Sequence, residues 1–246
     1  MARSTAKQLD RALAVPLSAL NDVPRGRSLT ALVADRLREA IMEGRLPLGG
    51  ALSELKLAAA LQVSRTPVRD ALTILQIEGL IEVRPQAGSF VFHPSDEEVD
   101  ELAEFRRVIE GTALRFAFAR QRERALQGMC AAADAMDQAA LSEDALGVAR
   151  GDTAFHQAIV ESSANQTMIA TYRLVSGRVA ALRTHNNLVN WRADQSRAFD
   201  EHRKVIAAFA KGDVETAEAV LAEHVVKMRL VYRITRQRAA LEGRPG

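Results

Sequence analysis

Apolar residues recur every three or four positions in three short segments between residues 28 and 79, which predicts three helices. The first covers about residues 28–44. The second is "SELKLAAAL", with Ser53 as its N-cap, and the third runs from about Arg65 to Glu78 and ends at Gly79.

The pattern then changes from helical spacing to alternation. Ile81 and Val83 alternate in "LIEVRP", and Phe90 and Phe92 alternate in "SFVFH". The glycine of the intervening "QAG", Gly88, permits a tight turn, so the two runs predict a β-hairpin. Three short helices and a hairpin within about 65 residues predict a winged helix-turn-helix.

From Ser95 onward the pattern is helical throughout. Ser95 and Glu98 form a capping-box motif at the start of this region. "THNNLVNW" interrupts the helical series and places His185 in a loop. Six helices are predicted, at about 95–120, 122–141, 143–162, 165–184, 194–211 and 213–238. Their short connections favour an antiparallel bundle.

These patterns define a mainly α protein with an N-terminal winged helix-turn-helix and a C-terminal antiparallel α-helical bundle. We expect residues 1–26 to be a flexible arm, 27–94 to be the winged domain, and 95–240 to be an all-helical domain for effector binding and dimerisation. Pro94 and Ser95 form the hinge between the two domains.

Composition narrows the class of protein. The apolar runs all fall short of the roughly 18 residues that cross a bilayer, so no membrane partner is expected. The one cysteine, Cys130, excludes an internal disulfide and fits a reducing cytoplasm. Net charge is +2, but residues 1–94 carry 12 Lys/Arg against 9 Asp/Glu, a net of +3, whereas the remainder is at −1. The basic surplus hints at a polyanionic partner for the N-terminal part.

The third helix has the two faces that a DNA-reading helix needs. Its apolar stripe is opposed by Arg65, Thr66 and Arg69. Arginine can donate two parallel hydrogen bonds to guanine O6 and N7, and threonine can touch a phosphate or a thymine methyl. Gly88 lets the hairpin tip approach the minor groove, and Arg36, Arg38 and Arg45 could contact the backbone. The alternative is that these arginines are ordinary solvated charges.

Histidines and one aspartate suggest a metal site in the helical part. Asp152 and His156 are four residues apart and share a helix face. His202 and His224 lie on two further helices, and such ligands on facing helices can hold a metal with positions left for water or a carboxylate. A lone helical histidine is more often a hydrogen-bonded structural residue, and spacing alone does not show that these helices face one another.

At this point the sequence resembles a known family. "LSELKLAAALQVSRTPVRDALTILQIEGLIEVRPQAGSFV" is similar to the DNA-binding domain of GntR-type bacterial transcription factors, through "VSRTPVRDAL", "EGL" and "AGSFV". Lys56 stands where the family is variable. The resemblance implies double-stranded operator DNA as partner, contacted by Arg36, Arg45, Arg65, Thr66, Arg69 and Gly88.

Residues from about 99 to 235 are similar to the FCD effector domain of the FadR branch of that family. The matching pieces are "EFRRVIEG", "DTAFHQAIVESSAN" and "DEHRKVIAAFAKGDVETAEAVLAEHV". The resemblance implies a divalent metal, Zn²⁺, Ni²⁺ or Mn²⁺, held by Asp152, His156, His202 and His224. His93 and His185 are not favoured as ligands. Six rather than seven helices favour the VanR-like subgroup over the metal-free, fatty acyl-CoA-binding one.

Two arginines are candidate effector ligands. Arg106 stands where the family often has an arginine facing the cavity, and it could clamp a carboxylate; Arg178 is a weaker second candidate. A surface salt bridge from Arg106 to Glu104 or Glu110 is an equally good interpretation. The implied effector is a small organic acid, such as a hydroxy or sugar acid.

The sequence therefore predicts a cytoplasmic, homodimeric transcriptional regulator, not an enzyme, whose DNA binding responds to a small acid. The sign of regulation is left open. One alternative is a metal-dependent hydrolase or lyase using the same four ligands, although no His-Glu-x-x-His motif supplies a general base. Another is a sensor of the metal itself.

Overall fold

A computed structural model of the protein describes residues 28–190 and 195–241. The predicted arm, residues 1–26, lies outside the described residues. The chain divides into two compact units, Met1–His93 and Pro94–Gly246.

The N-terminal unit contains three helices and a small antiparallel sheet, as the sequence predicted. In chain order its elements are α1 (Leu29–Met42), β1 (Ala51–Leu52), α2 (Glu54–Leu61), α3 (Arg65–Ile77), β2 (Ile81–Arg84) and β3 (Gly88–Val91). The strand order is β1-β3-β2, and β2 and β3 form the predicted hairpin. The two-residue strand β1 was not predicted, because two residues are too few to show alternation.

Local signals fix the ends of these helices. The Ser28 hydroxyl accepts a hydrogen bond from the Ala31 N–H at the start of α1, at 3.2 Å. Ser53 caps α2 in the same way, and Ser64 is the N-cap of α3 without a side-chain bond. After α3, Gly79 adopts a φ of 70°, which lets the chain turn into β2. The helices meet over a buried core formed by Val33, Leu37, Ile41, Leu57, Val68, Leu72 and Leu75.

The C-terminal unit consists of helices in its described residues. They are α4 (Asp96–Leu141), α5 (Ala145–Ser162), α6 (Gln166–Asn190), α7 (Gln195–Lys211) and α8 (Val214–Leu241). The capping box predicted at Ser95 and Glu98 is present, with both hydrogen bonds formed. Gln121, at φ −144° and ψ 49°, interrupts α4 where the sequence predicted a break between two helices.

One prediction about this unit was wrong. The segment "THNNLVNW" was expected to interrupt the helices, but α6 continues to Asn190, so His185 lies in a helix and not in a loop. Arg183, Thr184 and Asn186 are buried around this point. Tertiary packing here outweighs the weak helix propensity of threonine and asparagine.

Small residues allow α5 to pack closely on α4. A Cβ at Gly151 would lie 2.4 Å from Met136 Cγ and 3.2 Å from the Met136 backbone nitrogen. Gly128 similarly faces Ala158, where an added Cβ would lie 2.8 Å from the alanine Cβ. This close packing of α5 on α4 fixes the position of the part of α5 that follows Gly151.

Within residues 28–190 and 195–241, no helix is both long enough and apolar enough to cross a bilayer.

We predict that Gly151→Ala destabilises the protein by about 1–3 kcal/mol, because the new methyl group overpacks the α4–α5 contact. Thermal and denaturant unfolding of the variant and the parent measure the change. Gln157→Ala, on the exposed face of α5, is the matched control and should stay within about 0.5 kcal/mol. A Gly151→Ala protein as stable as the parent would show that α5 is free to shift.

Candidate metal centre and nucleic-acid interface

The four predicted metal ligands meet inside the helical unit. Asp152 and His156 come from α5, His202 from α7 and His224 from α8. One potential ligand atom of each lies within 4.8 Å of all the others. Helix α4 packs against α5, α7 and α8, and α8 packs against α7, which brings together residues up to 72 positions apart in the chain.

The spacing of these atoms suits a common ion. His224 Nε2 lies 3.2 Å from His156 Nε2 and 3.1 Å from His202 Nε2. Asp152 Oδ1 lies 3.1 Å from His202 Nε2 and 3.8 Å from the Nε2 atoms of His156 and His224. Ligands about 2.1 Å from one metal are roughly 3.0–3.4 Å apart, so little movement would be needed.

Two buried carboxylates decide which imidazole nitrogen carries the proton. Glu110 Oε2 lies 2.6 Å from His156 Nδ1, and Glu201 Oε2 lies 3.0 Å from His224 Nδ1. Each carboxylate accepts from the Nδ1–H, so in the neutral rings both Nε2 atoms carry lone pairs. These lone pairs face one another at 3.2 Å. Two acceptors so placed repel unless a cation or a proton lies between them, and the donor set therefore fits a metal ion.

His202 is held differently from the other two imidazoles. Its Nδ1 is buried and has no hydrogen-bond partner within the described part of the chain. The ring instead packs against Phe155, with centroids 4.3 Å apart, and presents Nε2 to Asp152. Packing against Phe155 and the contact of Nε2 with Asp152 thus set the orientation of this ring.

The protonation states are those that metal ligands require. Burial lowers the pKa of the His156 imidazole well below its usual value, and burial also lowers that of His224. Burial opposes ionisation of Asp152, but the charge of Arg183 and the hydrogen bond with His202 outweigh it and hold the pKa of that carboxyl well below its usual range. The site therefore presents neutral imidazoles at His156 and His224 and an ionised carboxylate at Asp152 at neutral pH.

Sequence reasoning missed several groups around the centre. Tyr172 donates its hydroxyl to Glu110 at 3.0 Å, and Lys227 forms an ion pair with Glu201. Arg183, on α6, pairs through Nε with Asp152 Oδ2 and is almost fully buried. Its Nη2 has no hydrogen-bond partner among residues 28–190 and 195–241. Neither periodicity nor a motif marks these contacts.

The two predicted effector arginines occupy different environments. Arg106 is fully buried and donates from Nε to Glu110 Oε1 at 2.7 Å, from Nη2 to Glu110 Oε2 at 3.4 Å and from Nη1 to Met228 Sδ at 3.5 Å. The salt bridge with Glu110, one of the two partners considered, is therefore present, but it is buried. Arg178 is half-buried, burial lowers the pKa of its guanidinium, and its Nε is unpartnered within the described chain.

The predicted DNA-contacting residues lie within the N-terminal unit. Arg65, Thr66 and Arg69 are exposed on the first turns of α3, opposite its buried stripe. Gly88 is exposed at the hairpin turn with a φ of 105°, and a Cβ there would meet nothing within 4 Å.

Carboxylates already pair with the other arginines of this predicted interface. Arg36 pairs with Glu39 at 3.2 Å, and Arg45 pairs with Glu43 at 2.8 Å. Arg65 and Arg69 share Glu54, which sequence reasoning did not single out.

Comparison with known proteins agrees with this two-part organisation. Residues 29–91 match the family model of bacterial regulatory proteins of the gntR family, and residues 101–227 match that of the FCD domain. A GntR protein of known structure from Rhodococcus sp. RHA1 superposes with a TM-score of 0.75 at 27% identity, covering 84% of this chain and 98% of the other.

Curated relatives match this chain over most of their own length. The probable D-xylose utilization operon transcriptional repressor of Paenarthrobacter nicotinovorans is 29% identical, with 83% of this chain and 90% of that protein covered. An uncharacterized HTH-type transcriptional regulator of Mycobacterium tuberculosis is 30% identical, with coverage of 82% and 90%. The chain therefore belongs to the gntR family of bacterial regulatory proteins, with an FCD domain after its DNA-binding domain, and it is a transcriptional regulator and not an enzyme.

Proposed function

We propose that a small carboxylate metabolite, bound at a divalent metal in the helical unit, controls the binding of this regulator to its operator. The observation that carries the proposal is the convergence of three imidazole Nε2 atoms and one carboxylate oxygen within 4.8 Å. Buried carboxylates orient two of these imidazoles so that their lone pairs face the shared point.

The metal would be held by Asp152, His156, His202 and His224, and would be Zn²⁺, Ni²⁺ or Mn²⁺. Imidazole and carboxylate donors suit each of these ions. When bound, the ion supplies a positive centre with coordination positions left for carboxylate oxygens of a ligand. The carboxylates of Glu110 and Glu201 fix the tautomers of two ligating rings.

Arg183 is the strongest candidate to hold the effector carboxylate. Its Nε pairs with Asp152, a proposed metal ligand, so its free Nη2 lies close to the centre. An unpaired buried donor costs free energy, which an anionic ligand beside it would recover. The unpartnered Nε of Arg178 is a second donor on the same helix. Arg106 stays a prediction as an effector ligand, although each of its nitrogens already has a protein partner.

The operator would be read by α3 and the hairpin. Arg65 and Arg69 would contact bases or phosphates, with Thr66 beside them on the same exposed face. Arg36, Arg45 and Gly88 would contact the DNA backbone and minor groove. Two copies of the chain, forming a cytoplasmic homodimer, would place two such units on a palindromic site. The effector would regulate only to the extent that it binds the DNA-bound and free forms with different affinity.

For the metal centre, we predict that the purified protein binds about one divalent ion per chain and that His156→Ala abolishes this binding. Elemental analysis after dialysis against each metal measures the stoichiometry. Metal should also raise the melting temperature of the parent, because an ion bound only to the folded form adds about 2.7 kcal/mol at a hundredfold excess over its Kd. His185→Ala, a histidine outside the cluster, is the matched control and should retain the ion. Equal metal content in both variants would contradict the assignment.

For the operator, we predict that Arg69→Ala weakens binding to the protein's own upstream DNA by about tenfold to a hundredfold, the loss of one bidentate base contact. Fluorescence anisotropy at a fixed salt concentration measures the Kd. Arg124→Ala removes an exposed arginine from the helical unit and should bind like the parent. If both variants bind like the parent, α3 is not the reading helix.

For the effector, we predict that one member of a panel of small hydroxy and sugar acids changes the operator Kd of the metal-loaded protein. Arg183→Ala should weaken that response at least about tenfold, because a buried charge-assisted contact is lost. Arg173→Ala, on the exposed part of the same helix, is the control. Metal content measured in parallel separates loss of the acid from loss of the ion.

A response to metal concentration alone, with no acid required, would instead identify a direct metal sensor. A response to acid that survives in Arg183→Ala would transfer the anchoring role to Arg178 or Arg106.

A further inference from the structure

Glu54 bridges the two arginines that α3 presents to solvent. Its carboxylate accepts from Arg69 Nε at 3.2 Å and Nη2 at 3.0 Å, and from Arg65 Nη2 at 3.1 Å. The arginine side chains are 59% and 62% exposed, whereas that of Glu54 is only 27% exposed. One carboxylate thus lies beneath two guanidinium groups on the surface that we propose contacts DNA.

The position of Glu54 is fixed by its own helix. It is the first residue of α2, directly after the capping residue Ser53. The buried side chains of Leu57 and Leu61 anchor α2 in the core of the unit. The carboxylate therefore projects from a rigid element, and the two arginines of α3 must accommodate it.

The pairing leaves a defined edge of Arg69 unused. A guanidinium has five N–H donors in a rigid plane, and Glu54 occupies the edge formed by Nε and Nη2. The opposite edge, formed by Nη1 and the second Nη2 hydrogen, keeps two parallel donors. Parallel donors of this kind match O6 and N7 of guanine. Arg69 is thus held by one edge with the other available for a base.

We propose that Glu54 is a positioning residue for sequence recognition, holding Arg69 and Arg65 so that α3 distinguishes guanine from other bases. This inference rests on the proposed operator binding by α3. Arginines that are not held in position would bind any DNA phosphate, because attraction to phosphate does not depend on the base sequence. A fixed carboxylate offsets one of the two positive charges and restricts the arginines to one arrangement. Glu54 therefore weakens non-specific binding more than specific binding.

The electrostatics keep Glu54 ionised. Hydrogen bonds from Arg69 hold the pKa of its carboxyl below the usual value, with a smaller contribution from Arg65. The negative charge is consequently present at neutral pH.

The test uses the full-length protein and Glu54→Gln, which keeps the shape but removes the charge. The probes are the duplex that the wild-type protein selects from a random-sequence library, the same duplex with each guanine replaced in turn, and an unrelated duplex of equal length. Kd is measured for each at several salt concentrations. Asp70→Asn is the matched control, because it removes an equal charge from the exposed face of α3 where no hydrogen bond to Arg65 or Arg69 is formed.

We expect Glu54→Gln to lower the ratio of non-specific to specific Kd about tenfold, the discrimination of one bidentate contact. The loss should concentrate at one or two guanine positions. On unrelated DNA the slope of log K against log salt should steepen by about 0.9, as one freed arginine engages a phosphate. Glu54→Asp, which keeps the charge but shortens the reach, should lose discrimination without this change of slope. Asp70→Asn should keep the wild-type ratio.

If the ratio of non-specific to specific Kd for Glu54→Gln stays within twofold of the wild-type ratio, the inference is overturned. It is also overturned if Asp70→Asn lowers this ratio equally, because the effect would then be one of general charge. Melting curves of each variant establish that it is folded, and Glu54→Asp carries the test if Glu54→Gln is not. If the wild-type protein selects no duplex, the proposed DNA binding itself fails. If wild type selects a duplex and Arg69→Ala loses it while Glu54→Gln does not, only the role of Glu54 fails.

Discussion

The helical unit depends on the requirement that every charge removed from water be paired inside the protein. Glu110 is fully buried and accepts hydrogen bonds from Arg106, His156 and Tyr172. Burial alone would favour its neutral form, but the charge of Arg106 and the bond with His156 hold the pKa of its carboxyl far below the usual range. Three helices, α4, α5 and α6, are thereby joined at one carboxylate. Losing any one partner would leave an uncompensated buried group, which costs far more than a surface contact.

The same requirement for pairing of buried groups applies at the candidate metal centre beside Glu110. By fixing the proton of His156 on Nδ1, Glu110 directs a lone pair at His224, whose own proton is fixed by Glu201. The fold therefore brings together acceptors that have no reason to approach each other in the absence of a cation. A structural explanation for the contact between His156 and His224 would require one of their Nε2 atoms to donate, and the carboxylates at Nδ1 oppose this in the neutral rings. A bound metal ion would account both for the carboxylates at the Nδ1 atoms and for the close approach of the Nε2 atoms.

How much of the fold and of the candidate site could be predicted from the sequence depends on whether each feature is determined by neighbouring residues in the chain. Helix periodicity and caps located α1 to α3, the hairpin and the capping box at Ser95, because each is decided within a few residues. The break at Gln121 was also predicted, whereas the continuation of α6 to Asn190 was not, since buried neighbours from other helices support it. Residue type and helix spacing singled out the four residues of the candidate metal cluster, and resemblance to the family implied that they share one site. The contacts of Arg183 with Asp152, and of Arg69 with Glu54, join residues 31 and 15 positions apart and have no periodic signature.

Glu110 and Glu54 show the same chemistry in two dielectric environments. Each carboxylate accepts from an arginine edge, but Glu110 is buried and Glu54 lies at the surface. A buried pair is held strongly, because separating it exposes bare charges to a poorly polarisable interior. A surface pair contributes little to stability, about 0–1 kcal/mol, so Glu54 can orient Arg69 without the fold depending on it. The first arrangement suits a centre that must stay assembled, and the second suits a surface on which one edge of an arginine is held while its other edge stays available to DNA.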